Sequence, residues 1–230
     1  MAVAFVLGQP QIEETQMTVA EESNVHHDII QGDFLDDYYN LTYKSVMWLQ
    51  WIAQYCQSAA FVVKVDDDVF ANSFLVSSYL RKQQVAQANE SCTLHCHIID
   101  YTPVRDKESK WYVTEEEYNG DVIEYCSGRA YIMSMDLTEP LLEASYRTPF
   151  LKIDDVFVTG LAAQGISSAS CGGRGVGYVS LEDYFDCLLE WKPDGERRFR
   201  NGTLMFHHRG QPMNIWNDVL VPRHVSILGS

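Results

Sequence analysis

The stretch Ala60-Phe-Val-Val-Lys-Val-Asp-Asp-Asp-Val-Phe70 decides how this chain is read. Residues 60–65 are apolar apart from Lys64. Such a run predicts a strand buried on both faces, of the kind found in parallel α/β sheets. The strand runs straight into Asp66, Asp67 and Asp68. Ligands of open α/β sheets bind beyond the carboxyl ends of the strands, which is where these carboxylates fall. Three adjacent aspartates repel one another unless a cation lies among them. An extended backbone sends Asp66 and Asp68 to the same side, and oxygen ligands suit Mg²⁺ or Mn²⁺. A solvated acidic turn is the plain alternative. The flanking apolar strand and Val69-Phe70 favour the cation.

Working outward, the pattern predicts strands over 3–7 and 28–30, with an acidic helix over 11–24 between them whose Glu13, Glu14, Glu21 and Glu22 face water. Residues 38–55 carry the strongest helical signal. Leu41, Trp48, Ile52 and Tyr55 recur at helical spacing, widened by Val46 and Leu49. A further helix is expected over 72–82, capped by Asn72. The order strand, helix, strand, helix, strand predicts a single-domain α/β fold, with a mostly parallel central sheet flanked by helices. Beyond it, strands are expected over 94–99 and 131–135, helices over 136–145 and 156–164, and a last short helix holding Trp216. Residues 101–119 and 191–201 read as loop. Gly172-Gly173-Arg174-Gly175 reads as a turn, because no strand leads into it and no Lys-Ser/Thr follows.

Composition limits the partners. Asp and Glu number 32 against 17 Lys and Arg, for a net charge of -15. That balance excludes a nucleic-acid tracker, which needs basic groups to displace counterions, and a protein held on anionic lipid. An acidic enzyme acting on a polyanion calls for a bound cation. No apolar run approaches the ~20 residues of a membrane span. Sequons at Asn40, Asn89 and Asn201, together with six cysteines, point to the secretory pathway. Asn40 has a second reading as a helix cap. Six cysteines allow about fifteen pairings, and Cys171 with Cys187 is expected from proximity in sequence. Cys92 and Cys96 with His95 and His97 make a poor zinc site. No second ligand pair follows, and the alternation is that of a strand.

A second acidic pair, Asp154-Asp155, opens the helix expected over 156–164. One of the two is a cap on the plain reading, and a general base aimed into the cleft on the functional one. An ordered series of motifs accompanies it. Asp33-Phe34-x-Asp36-x-Tyr38-x-Asn40-Leu41-Thr42-x-Lys44 precedes Lys64-Val-Asp-Asp-Asp-Val-Phe70. Then come Pro103-Val-Arg-Asp, Lys110-Trp-Tyr-Val, Glu117-Tyr118, Tyr125-Cys-Ser-Gly128 and Asp154-Asp-Val-Phe-Val-x-Gly160. The series resembles the β-1,3-galactosyltransferase family.

The resemblance implies a GT-A fold and a UDP-sugar donor, either UDP-galactose or UDP-N-acetylglucosamine. It implies a glycan acceptor on protein or lipid, a divalent ion (usually Mn²⁺), inversion at the anomeric carbon, and residence on the lumenal side of the Golgi membrane. By matching position, Asp66, Asp67 and Asp68 correspond to the family's DxD motif, with Asp68 and Asp66 at the metal and Asp66 and Asp67 at the nucleotide. Asp155 is the expected catalytic base, and His208 completes the metal site, with His207 one residue away. Asp154, Gly128 and Trp111 are expected to contact substrate, and Tyr112 and Tyr125 are further candidates for stacking on sugar or uracil. Family members normally begin with a tail, a membrane anchor, a stem and a first strand followed by an Arg-rich segment. The resemblance here starts after these, so the expected fold is N-terminally truncated. Arg129 stands where a glycine is usual. Two other readings make different predictions. A UDP- or glycan-binding protein would bind without transfer, and an unrelated Mg²⁺-dependent phosphotransferase would not need Asp155.

Overall fold

A computed structural model describes residues 1–86, 91–182, 185–186 and 204–207 of the chain. It is an α/β fold. The element order is β1 (Phe5–Gln9), α1 (Glu13–His26), β2 (Ile29–Leu35), α2 (Leu41–Tyr55), β3 (Phe61–Val65), β4 (Val69–Ala71) and α3 (Ser73–Ala86). It continues with β5 (Thr93–Tyr101), β6 (Ile123–Ser134), α4 (Thr138–Ser145), α5 (Val156–Ala162), β7 (Gly177–Ser180), β8 (Phe185–Asp186) and β9 (Met205–His207). The central sheet has the order β3-β6-β5-β7. A pair, β1-β2, and a small sheet, β4-β9-β8, stand beside it.

β6 is the spine of the molecule because both of its faces find cover. Alternation sends Tyr131 and Met133 into a core shared with Trp48 and Leu49 of α2, Leu141 of α4 and Phe157 of α5. Ala130 and Ile132 face the other way and meet Val76 of α3 and Met205 of β9. Leu49, Leu137, Leu141, Ile132 and Met133 are fully buried. Truncating any one of these leucines to alanine costs about 2–5 kcal/mol.

Several expectations need correction. The central sheet is mixed rather than mostly parallel: β3 and β5 both run antiparallel to β6, and only β7 runs parallel to β5. The helices that suggested parallel crossovers are real, but the long connection over 102–122 returns the chain as an antiparallel neighbour. β6 begins at Ile123, eight residues before the expected strand start at 131, because its polar first half has a broken alternation. α1 has no buried residue at all, so its acidic face has no dry counterpart. β4 and β7 are too short to show a period. Asn72 caps α3 as expected, accepting the Leu75 amide at 3.2 Å. The Gly-rich turn also holds, with Gly172, Gly173 and Gly175 at φ of 64°, 88° and 77°.

Cys171 pairs with Cys92, and Cys96 pairs with Cys126. The expected partner of Cys171, Cys187, lies outside the described residues. Nearness in sequence misled here. The parallel register Thr93↔Gly177 carries the turn ending at Cys171 to the start of β5, across a separation of 79 residues. Closing a loop of that size stabilises by roughly 4 kcal/mol through the unfolded chain. The two disulfides also exclude zinc at Cys92 and Cys96. Cys56 is a free, half-buried thiol. Among the described residues no helix is long and apolar enough to cross a membrane. Trp216 and residues 191–201 lie outside the described residues.

Candidate active site

The sheet delivers three of the expected residues to one place. Asp66 follows the last residue of β3, Gly128 lies within β6, and Asp155 caps α5. Asp155 Oδ1 accepts the Val156 amide at 2.9 Å, and Oδ2 accepts the Gly128 amide at 3.0 Å. Two backbone donors therefore fix the carboxylate at a helix start. Burial nevertheless pushes its pKa up to about 6, and Asp154 adds to the rise, against the opposing pull of the two amides and Lys64. A carboxyl with that value is charged at neutral pH yet basic enough to accept a proton.

Gly128 is required by this contact. A Cβ there would lie 2.7 Å from Asp155 Oδ2 and 2.9 Å from Asp155 Cβ. The amide is available because β6 bulges at this point. Cys126 opposes Ile98 and Tyr131 opposes Cys96, so residues 127–130 of β6 face only His97 of β5. Bulges beside active sites re-aim groups in this way. α5 is wound as a π-helix, a form that concentrates at functional sites. It is stitched to the bulge by Thr159, whose hydroxyl accepts the Cys126 amide at 2.9 Å and donates to the Asp155 carbonyl at 2.7 Å.

Lys64 joins the two halves. Its ammonium donates to Asp66 Oδ1 and to the Gly128 carbonyl. Gly128 thus binds Asp155 through its N–H and Lys64 through its oxygen. The Asp66 amide donates to the Arg129 carbonyl at 2.9 Å. Even with this cation beside it, the Asp66 carboxyl is held above the usual range, first by burial and then by Asp154 and Asp68. Tyr131 lies beneath the cluster, its hydroxyl pushed well up by burial and by Asp154, Asp155 and Asp66. Asp154 Oδ2 accepts the Ser45 hydroxyl at 2.9 Å, tying the pair to α2. Tyr38 bonds Trp111, and its hydroxyl is raised by burial and by Asp155 and Asp154. Tyr125, raised chiefly by burial, and Tyr101, whose buried hydroxyl has no hydrogen-bond partner among the described residues, also sense Asp155.

The structure thus brings together Asp66, Gly128, Asp154 and Asp155, with Trp111 at the edge of the cluster through Tyr38. Asp67 and Asp68 are exposed on the turn between β3 and β4. For a hard cation the fit is good in kind: every donor here is oxygen, and the raised Asp66 marks an excess of negative charge that a divalent ion would offset. Among the described residues no group of three His, Cys, Asp or Glu is gathered at ligand distance. The third expected ligand, His208, lies outside them. β9 ends at His207, whose register partner is Val69, the residue after Asp68. Arg129 has an exposed side chain, so it leaves the position beside Asp155 to Gly128.

The chain has known relatives. A family model described as Galactosyltransferase matches residues 1–170. The chain belongs to the galactosyltransferase family. It is 37% identical over 156 residues to "Beta-1,3-galactosyltransferase 5" of Pan paniscus, covering 67% of this chain and 50% of the relative. It is 30% identical over 227 residues to "Beta-1,3-galactosyltransferase 1" of Mus musculus, covering 98% of this chain and 65% of the relative. The chain thus spans about half to two thirds of the length of these relatives.

Lys64, Tyr131 and Ser45 were missed in the sequence. For Lys64 a signal existed. A lone charge in an apolar strand, two residues before a carboxylate, shares its face and points to a pair. Tyr131 and Ser45 carry no local signal, since their partners lie far along the chain. The sequon at Asn40 has a structural use: its amide donates to the Leu35 carbonyl at 2.9 Å, and Thr42 is buried against the Leu151 carbonyl at 2.6 Å. Asn89 and Asn201 lie outside the described residues.

Proposed function

We propose that this protein transfers galactose from UDP-galactose to a glycan hydroxyl in β-1,3 linkage, with inversion. The observation that carries the reading is Asp155, a buried carboxylate held by two amides, raised to about pKa 6 and placed beside the Asp66 turn. Asp155 takes the proton from the acceptor hydroxyl as that oxygen attacks the anomeric carbon. The Gly128 and Val156 amides keep it aimed. Lys64 fixes Asp66 against the floor of the site, and Trp111 supplies a flat apolar face for a sugar or for uracil. Asp66, Asp68 and His208 are the residues that would hold Mn²⁺ or Mg²⁺, whose charge offsets that developing on the departing diphosphate. Attack from the face opposite the leaving group in a single displacement gives inversion, by the logic that separates inverting from retaining glycosidases. Asp67 and Asp154 complete the acidic wall on the donor side. Family membership and the two disulfides support residence in the lumen of the Golgi.

UDP release by the purified chain, with Mn²⁺ and each of several UDP-sugars, tests the reading. Turnover that needs Mn²⁺, prefers UDP-galactose and disappears in Asp155→Asn and Asp68→Ala supports it. A folded chain that binds UDP without turnover overturns it in favour of a binding protein. Turnover indifferent to Asp155 overturns it in favour of another class of metal-dependent enzyme.

A further inference from the structure

A cleft of about 410 Å³ adjoins the site on the side of Tyr38, and its walls differ from the rest of this acidic protein. Lys107, Lys110 and Lys152 line it together with Tyr39, Tyr112 and Phe150. Lys107 and Lys110 form no ion pair among the described residues. Lys110 lies over the rings of Trp111 at 4.7 Å and Tyr38 at 5.0 Å, so its charge is fixed in place. Lys152 faces Tyr39 and Tyr112 and approaches Glu117 Oε1 at only 3.7 Å. The other oxygen of Glu117, which also lines the cleft and is its one carboxylate, accepts the Thr114 amide at 2.8 Å. The cleft therefore keeps a net positive charge in a chain whose net charge is -15. The aromatic rings are half-exposed: Tyr39 at 52%, Phe150 at 47% and the neighbouring Trp111 at 49%. Exposed aromatic surface gathered on one face marks a binding surface.

The cleft is continuous with the chemistry. Lys110 of its wall lies over the Tyr38 ring, Tyr39 of its wall is the next residue along, and Lys152 lies three residues before Asp155. We infer that this cleft receives the acceptor chain and that its lysines bind an acidic substituent, a carboxylate or a sulfate ester, on a sugar next to the one that is galactosylated. This rests on the galactosyl-transfer reading. Flat aromatic faces suit sugar rings. Compact ammonium charges suit an oxyanion, whether carboxylate or sulfate ester.

Binding without donor tests the cleft separately from catalysis. The full chain is titrated, with no UDP-sugar present, with a neutral disaccharide, its sulfated form and its uronic-acid form. The charged forms are expected to bind at least about tenfold more tightly at low salt, an advantage that shrinks in 0.5 M salt as screening sets in. Lys107→Ala and the double variant Lys107→Ala/Lys152→Ala are expected to lose most of that advantage. Lys107→Arg keeps it, and the neutral form binds Lys107→Ala unchanged. Tight binding of only one charged form still supports the inference and names the substituent. Equal affinity for neutral and charged forms overturns it, as does an advantage that survives in the folded double variant. Displacement of the charged sugar by UDP also overturns it, since the cleft would then belong to the donor. Transfer to the neutral acceptor reports separately on the galactosyl-transfer reading.

Discussion

α1 and β6 are of similar length, 14 and 12 residues, and they sit at opposite extremes of burial. No residue of α1 is buried, and Met17 and Val25 are 58% and 71% exposed. β6 is covered on both faces, carries a disulfide, and pairs with β3 on one side and β5 on the other. The candidate catalytic groups hang from β6 and from the helix packed on it. Charges held in a low-dielectric frame are positioned without reorganisation, and only the densest part of a fold can supply such a frame. The β1-α1-β2 region bears little of that burden. Its contact with the site runs through Asp36, which accepts the Gly8 amide and the Lys44 ammonium, and on through α2.

The largest effect that would break this comparison is on chemistry. Asp155→Asn is expected to lower transfer about 10²–10⁴-fold, read as UDP release, while urea unfolding at pH 7.5 shows a net change of less than about 2 kcal/mol, because relief of the buried charge offsets the one backbone amide left without an acceptor. The charged carboxylate is a burden on the fold. Its pKa is raised from 3.8 to about 6, so stability falls as pH rises through that window, by roughly 3 kcal/mol if the whole shift is expressed. Removing the charge removes that slope. A wild-type stability curve that is flat between pH 4 and 6 in the absence of divalent ions, superposing on that of Asp155→Asn, would contradict the assignment.

Next comes Gly128→Ala. The new methyl must displace the Asp155 carboxylate or the bulge, at a cost of about 1–3 kcal/mol. Activity is expected to fall at least tenfold more than in Ser127→Ala, measured side by side. Lys64→Met sharpens the same point. It frees Asp66 and the Gly128 carbonyl together, and UDP release by the variant should saturate at a lower divalent-ion concentration, since Asp66 no longer has an internal cation. The smallest effects are expected in α1. Met17→Ala and Val25→Ala should change stability by less than about 0.5 kcal/mol. Hydrogen exchange should find the α1 amides opening well before those of β6. Slow exchange in α1 would show that the two regions are not so unequal after all.

Much of this was legible in the sequence. The apolar run ending in Asp66 located β3 and the mouth of the site, and helical spacing located α2. The second acidic pair located the cap of α5, because a helix start is a local event. What escaped depends on partners distant in sequence. The direction of strand pairing is set by the path of residues 102–122, which carry no period. The pairing of Cys171 follows from the register of β7. The π winding of α5 has no local signal in the sequence. The role of Gly128 was read from a motif, and its physical reason, a carboxylate within 3 Å of where a side chain would begin, needed coordinates.

The bulge in β6 has a consequence for how such a protein changes over time. Residues 127–130 face a single residue of β5, three more than a regular ladder holds, so the Gly128 and Asp155 contact sits outside that ladder. A duplicated copy released from its first task can lose the Asp155 carboxylate and still fold and close both disulfides. Loss of function in such a lineage would leave no mark on abundance, and a catalytically silent copy would persist as a stable protein free to acquire another task.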